Sequence, residues 1–283
     1  MDLKTLKIGS WNIAGVKDKL QNLKILNLII NFDIIWFLEI KTGTKFTVPG
    51  FVPIYNPSKL KSSRGGVVML VKSYIFPTIT SINTGNEGLI SCKCSLLPEI
   101  VLAAMYIPPR DSLYFCDYQF GILNELLFDN DKAVVLGDFN SRVSRPVLYN
   151  LNGDLISYPH INDDCRNENG DRLLLTCQSS ASIIVNNIFK DNKHFPGNLT
   201  YKKGRRWISE IDLCITNENS FKYIKNLAIN NEITGSDHAI LEVDLNINIC
   251  DNTHCLLSSS SDLGKSYIPD SNSNIKKCPK LDK

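Results

Sequence analysis

Two corners of the chain, about one hundred residues apart, each combine an aspartate with a second polar side chain. An apolar run at residues 133–136 leads into Asp138 and Asn140, and a second corner ends in Asp237 and His238. Burying a carboxylate without a polar partner costs several kcal/mol, so we expect these side chains at strand ends, around a polar site. Taken singly, each corner is more typical of an ordinary turn or helix cap.

Four further polar side chains end or interrupt apolar runs. Asn12 follows one strand-like run, and Glu39 closes another whose five apolar residues indicate a buried carboxylate with a partner cation. Tyr106 lies two residues before a double proline, which ends ladder pairing. Asp212 alternates with apolar neighbours. Taken singly, Asn12 is typical of a turn, and Tyr106 is typical of a packing residue. Glu39 and Asp212, taken singly, are typical of solvent-exposed positions.

Together these positions form one set of eight polar residues: Asn12, Glu39, Tyr106, Asp138, Asn140, Asp212, Asp237 and His238. Oxygen ligands with one histidine and no thiolate suit Mg²⁺, or Mn²⁺ in its place, whereas zinc sites favour closely spaced cysteine and histidine. The set therefore predicts metal-assisted attack on a phosphate ester.

Composition limits the class of protein. The chain has 283 residues, 43% of them hydrophobic, which allows one large or two small domains. A net charge of +2 and a pI near 8.0 exclude a protein that coats nucleic acid through general basicity. Nine cysteines without a C-x-x-C pair are typical of a reducing compartment. With neither a signal pattern nor an apolar run of about 20 residues, we expect an intracellular protein, nuclear or cytoplasmic, without a membrane segment.

Strand-like patterns dominate the chain up to residue 245. They cover residues 6–13, 33–38, 66–72, 89–96, 100–107, 132–136, 181–185, 208–215 and 239–245, and helical patterns cover 19–31, 112–128 and 170–180. Strands that pair with strands under a few helices predict an α/β fold, a four-layer α/β/β/α sandwich of two mostly antiparallel sheets flanked by helices. We expect residues 1–246 to form this domain and residues 247–283, which are polar and serine-rich, to be a disordered tail.

In this order, the motifs resemble the endonuclease/exonuclease/phosphatase superfamily, which includes deoxyribonuclease I and the abasic-site endonucleases. The likeness is carried by Trp11-Asn12, Leu38-Glu39, Tyr106-Ile107-Pro108, Gly137-Asp138-Phe139-Asn140, Ser209-Glu210-Ile211-Asp212 and Ser236-Asp237-His238. Arg64-Gly65-Gly66, Pro108-Pro109-Arg110 and Asn169-Gly170 are similar to the endonuclease domains of long-interspersed-element retrotransposons. The resemblance implies a monomeric enzyme that nicks duplex DNA to give a 3′-hydroxyl and a 5′-phosphate. In such elements the nick primes a reverse transcriptase, a domain not contained in this chain.

The resemblance also implies a set of metal ligands. Glu39 would bind the catalytic divalent ion, with Asn12 close by and Asp237 near the metal or the leaving oxygen. Ala14 stands where several family members carry a carboxylate. Its presence leaves Glu39 as the main protein ligand and disfavours a second ion.

The remaining matched residues would act on the phosphate and the water. Asp138, supported by Asn140, would orient and deprotonate the attacking water. His238, oriented by Asp212, would meet the charge that builds on the phosphate, and Tyr106 would contact the phosphate too. An in-line displacement needs such groups: a cation on the phosphoryl oxygens, a proton acceptor and a donor opposite the developing charge.

A basic, aromatic segment at residues 200–207 reads as a β-hairpin that turns at Gly204. Elsewhere this pattern would indicate a solvated hairpin, but beside a phosphodiester site we interpret it as a rim that enters a DNA groove, with Tyr201 or Trp207 stacking. The predicted substrate contacts are Thr200, Lys202, Lys203, Arg205, Arg206 and Ser209. Predicted phosphate contacts in other loops are Lys59, Lys61, Arg64, Arg142 and Arg145.

Two other functions fit the same sequence. A phosphomonoesterase acting on inositol phosphates or lipid head groups, or a deadenylase, would keep the catalytic set and change the surrounding loops. A non-catalytic remnant of a transposon would keep the surface that binds nucleic acid and would not need an intact catalytic set.

Overall fold

The computed structural model describes residues 4–56, 65–86, 88–144, 147–149, 155–157, 163–186, 199–231 and 235–247. Its strands are β1 (Thr5–Asn12), β2 (Ile34–Leu38), β3 (Phe51–Asn56), β4 (Val67–Lys72), β5 (Ile79–Asn83), β6 (Leu89–Cys94), β7 (Leu97–Tyr106), β8 (Ala133–Asp138), β9 (Val147–Tyr149), β10 (Leu155–Ser157), β11 (Ser182–Ile184), β12 (Tyr201–Lys203), β13 (Arg206–Ser209), β14 (Asp212–Asn217), β15 (Ile224–Asn230) and β16 (Ile240–Asn246). The α-helices are α1 (Leu23–Ile29), α2 (Tyr118–Phe128), α3 (Glu168–Ser179) and α4 (Glu218–Phe221).

Two six-stranded sheets make up the body of the fold. The first has the order β15-β16-β1-β2-β4-β3 and the second the order β11-β14-β8-β7-β6-β5. In each sheet one central pair is parallel, β1 with β2 and β7 with β8, and the other neighbours are antiparallel. The parallel pairs bring the carboxyl ends of neighbouring strands to one edge, where a site can form.

Apolar residues on both faces of the central strands explain the layered packing. In β2, Ile34, Trp36 and Leu38 point into the core between the two sheets. Ile35 and Phe37 point the other way, into a second apolar cluster under α1. Burying one such side chain contributes about 1.5–3 kcal/mol, so a continuous apolar run is stable only where both faces are covered.

Helices complete the outer layers. Ile25 and Ile29 of α1 join the cluster on the first sheet, and Leu123 of α2 and Leu173 of α3 join the cluster on the second. The predicted four-layer α/β/β/α sandwich is therefore confirmed. Among the helices of the described residues, none is both long and apolar enough to cross a membrane.

Several predicted element boundaries are wrong. The run predicted at 208–215 is two strands, β13 and β14, because the chain leaves one ladder and enters another at residues 210–211. The helix predicted from residue 112 begins at Tyr118, after turns that bond Ser112 to Pro109 and Phe115 to Ser112. The helix predicted at 19–31 is a 3₁₀ turn at Lys19–Gln21 followed by α1. The predicted tail lies outside the described residues from 248 onward.

Candidate active site

Strand ends from both sheets meet at one edge, and a hydrogen bond joins them directly. Asn12 ends β1 in the first sheet, and Asp138 ends β8 in the second. The Asn12 amide Nδ2 donates to Asp138 Oδ2 over 2.9 Å, and both side chains are buried. Within the second sheet, Asp138 lies in register with Asp212 on one side and with Tyr106 on the other. Strand pairing therefore brings three of the predicted residues together, and the hydrogen bond from Asn12 adds a fourth.

Asp138 is a buried carboxylate held by two donors. Besides the bond from Asn12, its Oδ1 accepts the backbone N–H of Asn140 over 3.0 Å. Burial raises the pKa of Asp138, and the nearby charge of Asp212 adds to that shift, whereas His238 opposes it. A carboxylate with a raised pKa is a better proton acceptor at neutral pH than an ordinary one.

Two local backbone features place Asp138. A Cβ on Gly137 would lie 1.9 Å from the carbonyl oxygen of Met105 in the neighbouring strand, so only glycine fits there. Asn140 has φ +48°, a conformation that asparagine tolerates better than most residues. Its side-chain Nδ2 donates to the carbonyl of Ile107 over 2.9 Å, which ties the end of β8 to the end of β7.

His238 and Asp212 form a buried, hydrogen-bonded pair. His238 Nδ1 lies 2.9 Å from Asp212 Oδ2 and 3.2 Å from Oδ1. Its other ring nitrogen, Nε2, faces Asp138 Oδ2 at 3.8 Å, beyond hydrogen-bond distance. Burial works against the charged imidazole, but the attraction of Asp212 and Asp138 outweighs it and raises the pKa of His238 to about 10. The ring is therefore protonated at neutral pH, and its Nε2–H is directed at the Asp138 carboxylate.

A buried hydroxyl fixes the position of Asp212. Thr200 Oγ1 accepts the backbone N–H groups of Ile211 and Asp212, over 3.0 and 2.9 Å. The Thr200 side chain is fully buried, and Ser209 is only 4% exposed. Thr200 and Ser209, both predicted to contact substrate, therefore lie below the surface. Thr200 instead positions the carboxylate that holds His238.

The His238 backbone is tied to the end of β1. Ser236 Oγ donates to the carbonyl of Asn12 over 2.7 Å and accepts the N–H of His238 over 3.2 Å. The indole Nε1 of Trp11 donates to the His238 carbonyl over 3.2 Å. These bonds keep the imidazole beside Asp138 even though the two residues belong to different sheets.

Glu39 lies at the end of β2 in a strained conformation, with φ +50°. Its carboxylate is 2.5 Å from the ammonium of Lys41, and its side chain keeps 16% exposure. Burial raises the pKa of Tyr106, as do the charges of Glu39 and Asp138 and a hydrogen bond to Glu39. The Tyr106 hydroxyl is therefore neutral, and it forms a hydrogen bond with Glu39.

Two groups of side chains have the donor chemistry to hold a divalent ion. Asp138, Asp212 and His238 offer ligand atoms within 4.8 Å of one another, but His238 Nδ1 and Asp212 are bonded to each other, and Asn12 donates to Asp138 Oδ2. Glu39 and Asp237 are the better fit, because the Glu39 side chain keeps 16% exposure and Asp237 is exposed. The charges of both carboxylates act on Lys19 and on Tyr201. The oxygen of Asn12 accepts the N–H of Ala14 over 3.0 Å and keeps one lone pair.

The basic hairpin, formed by β12 and β13, is attached to the active-site edge. Lys202 donates its backbone N–H to the carbonyl of Asp237 over 2.8 Å, and the Tyr201 ring lies 5.0 Å from that of His238. Trp207 packs on the inter-sheet core, with the Lys202 ammonium 5.3 Å above its ring. The cations Lys203, Arg205 and Arg206 are exposed. The structure thus places three predicted contact residues on a solvent-facing rim.

Arg142 is not a surface phosphate contact, contrary to the prediction. Its Nε donates to Asp163 Oδ2 over 2.7 Å, and its Nη2 donates to Asp163 Oδ1 at 2.5 Å. Asp163 is 2% exposed and also accepts the backbone N–H of Glu210 over 3.1 Å. The pair therefore braces the loop after β8 against the chain before β14. The predicted contacts Lys59, Lys61, Arg64 and Arg145 lie outside the described residues.

Sequence reasoning used the Asn169-Gly170 pair as part of the resemblance but gave it no role in building the site. Asn169 Nδ2 donates to the carbonyls of Pro108 and Phe139, over 3.2 and 3.4 Å, and so joins the ends of β7 and β8. Its neighbour Gly170 is required because a Cβ there would lie 2.0 Å from the carbonyl oxygen of Arg142. The Asn-Gly pair was the available signal, and it marks a close contact rather than a turn.

The sequence matches a known protein family and is similar to two mobile-element polymerases. The model of the Endonuclease/Exonuclease/phosphatase family matches residues 9–238. The RNA-directed DNA polymerase from mobile element jockey of Drosophila funebris is 28% identical over 152 residues, and that of Drosophila melanogaster is 25% identical over 148. Each alignment covers 50% of this chain but only 16% of the jockey protein, so the chain spans a small part of those relatives.

Solved structures share the fold at low sequence identity. The AP endonuclease LMAP from Leishmania major has a TM-score of 0.66 and 15% identity, and the alignment covers 86% of this chain and 88% of that one. A 3′ phosphatase, NExo from Neisseria bound to product DNA hairpin, has a TM-score of 0.61 and 16% identity, with 85% and 99% covered. At these identities the likeness concerns the fold alone.

Proposed function

Because the chain belongs to the Endonuclease/Exonuclease/phosphatase family, whose model spans residues 9–238, we propose that it is a divalent-metal-dependent endonuclease. It hydrolyses phosphodiester bonds of duplex DNA and leaves a 3′-hydroxyl and a 5′-phosphate. The family assignment confirms the resemblance seen in the sequence motifs. The choice of DNA and of endonucleolytic cleavage is our inference from this chain's own site.

One observation carries the proposal: the 3.8 Å gap between Asp138 Oδ2 and His238 Nε2 at the edge where both sheets end. A buried base and a buried acid without a mutual hydrogen bond present a proton acceptor and a proton donor to reacting oxygens at the same edge. Asp138, with its raised pKa, orients the attacking water and takes its proton. His238, held by Asp212, donates Nε2–H toward the charge that develops on the phosphate. Tyr106, whose hydroxyl is neutral, donates to the same phosphate.

We assign Glu39 as the main ligand of a divalent ion, Mg²⁺ or Mn²⁺, with Asp237 and the oxygen of Asn12 beside it. These are hard oxygen donors of the kind that such ions prefer, and Glu39 and Asp237 are open to solvent. When bound, the ion would supply positive charge to the phosphate oxygens. Lys41, which now neutralises Glu39 at 2.5 Å, must release the carboxylate when the ion binds.

The exposed cations of the hairpin supply a surface for the DNA backbone. Lys203, Arg205 and Arg206 project from a rim whose base is bonded to Asp237. Cations on such a rim neutralise phosphates and position the duplex without reading its sequence. The jockey relatives support an origin in a retrotransposon, in which the nick would prime reverse transcription by a domain outside this chain.

A supercoiled plasmid with Mg²⁺ tests the proposal against its main alternative. We expect conversion to the nicked circle by the parent chain, and a loss of at least about 1,000-fold in Asp138→Asn and in His238→Gln, since each removes a group that acts on the reacting atoms. Release of inorganic phosphate from small monoesters is measured in parallel, because one fold relative is a phosphatase. Phosphate release without nicking would replace the endonuclease with a phosphomonoesterase.

A binding experiment addresses the non-catalytic alternative. If the parent fails both assays while it and Glu39→Ala bind duplex DNA equally, the chain is a nucleic-acid-binding module. Arg205→Ala with Arg206→Ala should weaken DNA binding and reduce its dependence on salt, because two phosphate contacts are removed.

A further inference from the structure

Tyr201, at the start of the basic hairpin, stands directly opposite His238 in a short antiparallel ladder. Backbone hydrogen bonds flank this pair: the N–H of Lys202 donates to the carbonyl of Asp237 over 2.8 Å, and the N–H of Ala239 donates to the carbonyl of the residue before Tyr201 over 2.7 Å. Neither bond uses the backbone of Tyr201 or of His238. They are therefore a non-hydrogen-bonded pair, the kind in which opposite side chains lie closest.

The Tyr201 ring packs against the imidazole. The two ring centroids are 5.0 Å apart and the ring planes cross at 53°, which is within the range of attractive aromatic pairs. His238 is only 6% exposed although it lies at the edge where both sheets end, whereas Tyr201 is partly exposed. The phenol ring thus forms part of the cover that keeps water from the imidazole.

This contact restricts a motion that the hydrogen bond to Asp212 leaves open. That bond holds His238 Nδ1 at 2.9 Å from Asp212 Oδ2, and it fixes one atom of the ring. A ring held at one atom is free to tilt about it, and a tilt would carry Nε2 away from its place 3.8 Å from Asp138 Oδ2. A neighbouring aromatic ring opposes such a tilt, because the imidazole would have to push it aside.

Two successive residues hold the two members of the Asp212–His238 pair. The Thr200 hydroxyl accepts the backbone N–H of Asp212 over 2.9 Å, and the Tyr201 ring contacts His238. Successive side chains of an extended chain point to opposite sides, so the start of the hairpin serves both. The sequence offered Tyr201 as a ring that stacks on DNA, but the structure uses that ring within the protein and leaves the exposed cations of the hairpin for DNA.

We propose that Tyr201 is a positioning residue for His238: its ring holds the imidazole in the orientation that directs Nε2–H at the reacting phosphate. The inference rests on the proposed function, because it names how the proton donor of that site is held. It assigns the base of the hairpin to the chemical step and the exposed tip to DNA binding. A stacking contact with DNA is the competing role for the same ring.

The test uses the full chain and variants of one ring. Tyr201→Leu removes the ring, Tyr201→Phe keeps it, and Tyr201→Thr is a second variant without a ring, used if the leucine variant does not fold by circular dichroism. Arg205→Ala combined with Arg206→Ala changes DNA binding in the same hairpin. Tyr118→Leu is the matched control, because it removes an exposed tyrosine from α2.

Plasmid nicking separates positioning from DNA binding. We expect Tyr201→Leu to lower kcat about 100-fold with little change in KM, since a displacement of about 1 Å in a reacting group costs that much. Tyr201→Phe should keep most of the parent's kcat, and Tyr118→Leu should match the parent. The double arginine variant should raise KM instead. A raised KM with an unchanged kcat in Tyr201→Leu would assign the ring to DNA stacking, and equal losses in the leucine and phenylalanine variants would assign the role to the hydroxyl; either result overturns the inference.

Proton NMR of the metal-free chain gives a readout that does not depend on nicking. The Nδ1–H of His238, which donates to Asp212, should give a signal protected from exchange with water, identified by its loss in His238→Gln. We expect Tyr201→Phe to keep this signal and Tyr201→Leu to lose it. If the parent does not nick DNA, the endonuclease assignment fails, and this signal alone decides about Tyr201. An unchanged signal in Tyr201→Leu, or none in the parent, overturns the inference even when the parent nicks well.

Discussion

Replacing Thr200 by valine should slow DNA nicking, because it removes the buried hydroxyl that positions Asp212, although every group assigned to the substrate is kept. The Thr200 hydroxyl accepts two backbone N–H groups, of Ile211 and Asp212, and is fully buried. Valine has nearly the same shape, so packing is kept while two buried donors lose their acceptor. Each unsatisfied buried amide costs about 1–3 kcal/mol, so we expect a loss of about 2–6 kcal/mol in the free energy of unfolding.

The same change should slow nicking because Asp212 would no longer be fixed. Asp212 holds His238 Nδ1 at 2.9 Å, and a displacement of about 1 Å in a reacting group costs roughly 100-fold in rate. We therefore predict a kcat about 100-fold below that of the parent, measured on supercoiled plasmid at a temperature where circular dichroism shows the variant folded. Thr200→Ser keeps the hydroxyl and should recover most of the rate.

Thr216→Val is the matched control. Thr216 is also fully buried, and its hydroxyl donates to the carbonyl of Ala133 over 2.9 Å, within β14 but away from the site. Its replacement should cost about 1–2 kcal/mol of stability and leave kcat unchanged. Equal losses of activity in the two valine variants, or a normal kcat in Thr200→Val, would refute the idea that the hydroxyl positions the catalytic pair.

Three further predictions follow from local geometry. Gly137→Ala should lower the free energy of unfolding by at least about 3 kcal/mol in urea titrations, because its Cβ would lie 1.9 Å from a backbone carbonyl oxygen. Cys116, which is exposed, should be alkylated in the native protein long before Cys177, whose pKa burial raises to about 12, and mass spectrometry of the labelled peptides reads the order. Burial opposes the charge of His238, but its carboxylate neighbours outweigh it and raise the pKa to about 10. Its contribution to stability is therefore full below about pH 6.5 and is lost as the pH rises through about 10, and Asp212→Asn should flatten that loss in metal-free denaturant titrations.

The sequence was sufficient for the layers of the fold and for the residues that end its central strands. Continuous apolar runs such as β2 and β8 indicate burial on both faces, and that pattern depends only on residue type. Asn12 and Asp138 could be grouped because each follows such a run. The edge strand β5 was missed for the converse reason: it is mostly exposed, and its residues carry no apolar pattern.

Contacts that depend on three-dimensional position could not be read from the chain. Arg142 is a basic residue after a catalytic motif and looks like a phosphate contact, yet it is paired with Asp163, twenty-one residues away. Thr200 belongs to a basic segment, but its hydroxyl faces inward. Side-chain direction and backbone partners decide these roles, and neither has a sequence pattern.

The extent of the catalytic unit remains our proposal. Strands from Thr5 to Asn246 supply both sheets, and each sheet contributes side chains to the site. A chain that ends after Ile247 should therefore keep the parent's nicking rate per folded molecule. A large loss in that truncated chain would assign part of the function to residues 248–283.

The central claim is hydrolysis of duplex DNA by Asp138 and His238 with a divalent ion, and sequencing the ends made on a long random duplex tests it most directly. We predict Mg²⁺-dependent breaks that carry a 3′-hydroxyl, extendable by a polymerase without prior phosphatase treatment, and a 5′-phosphate that ligase can seal. The same breaks should be absent with Asp138→Asn and with EDTA. Ends that carry a 3′-phosphate, or breaks that persist in Asp138→Asn, would contradict the account.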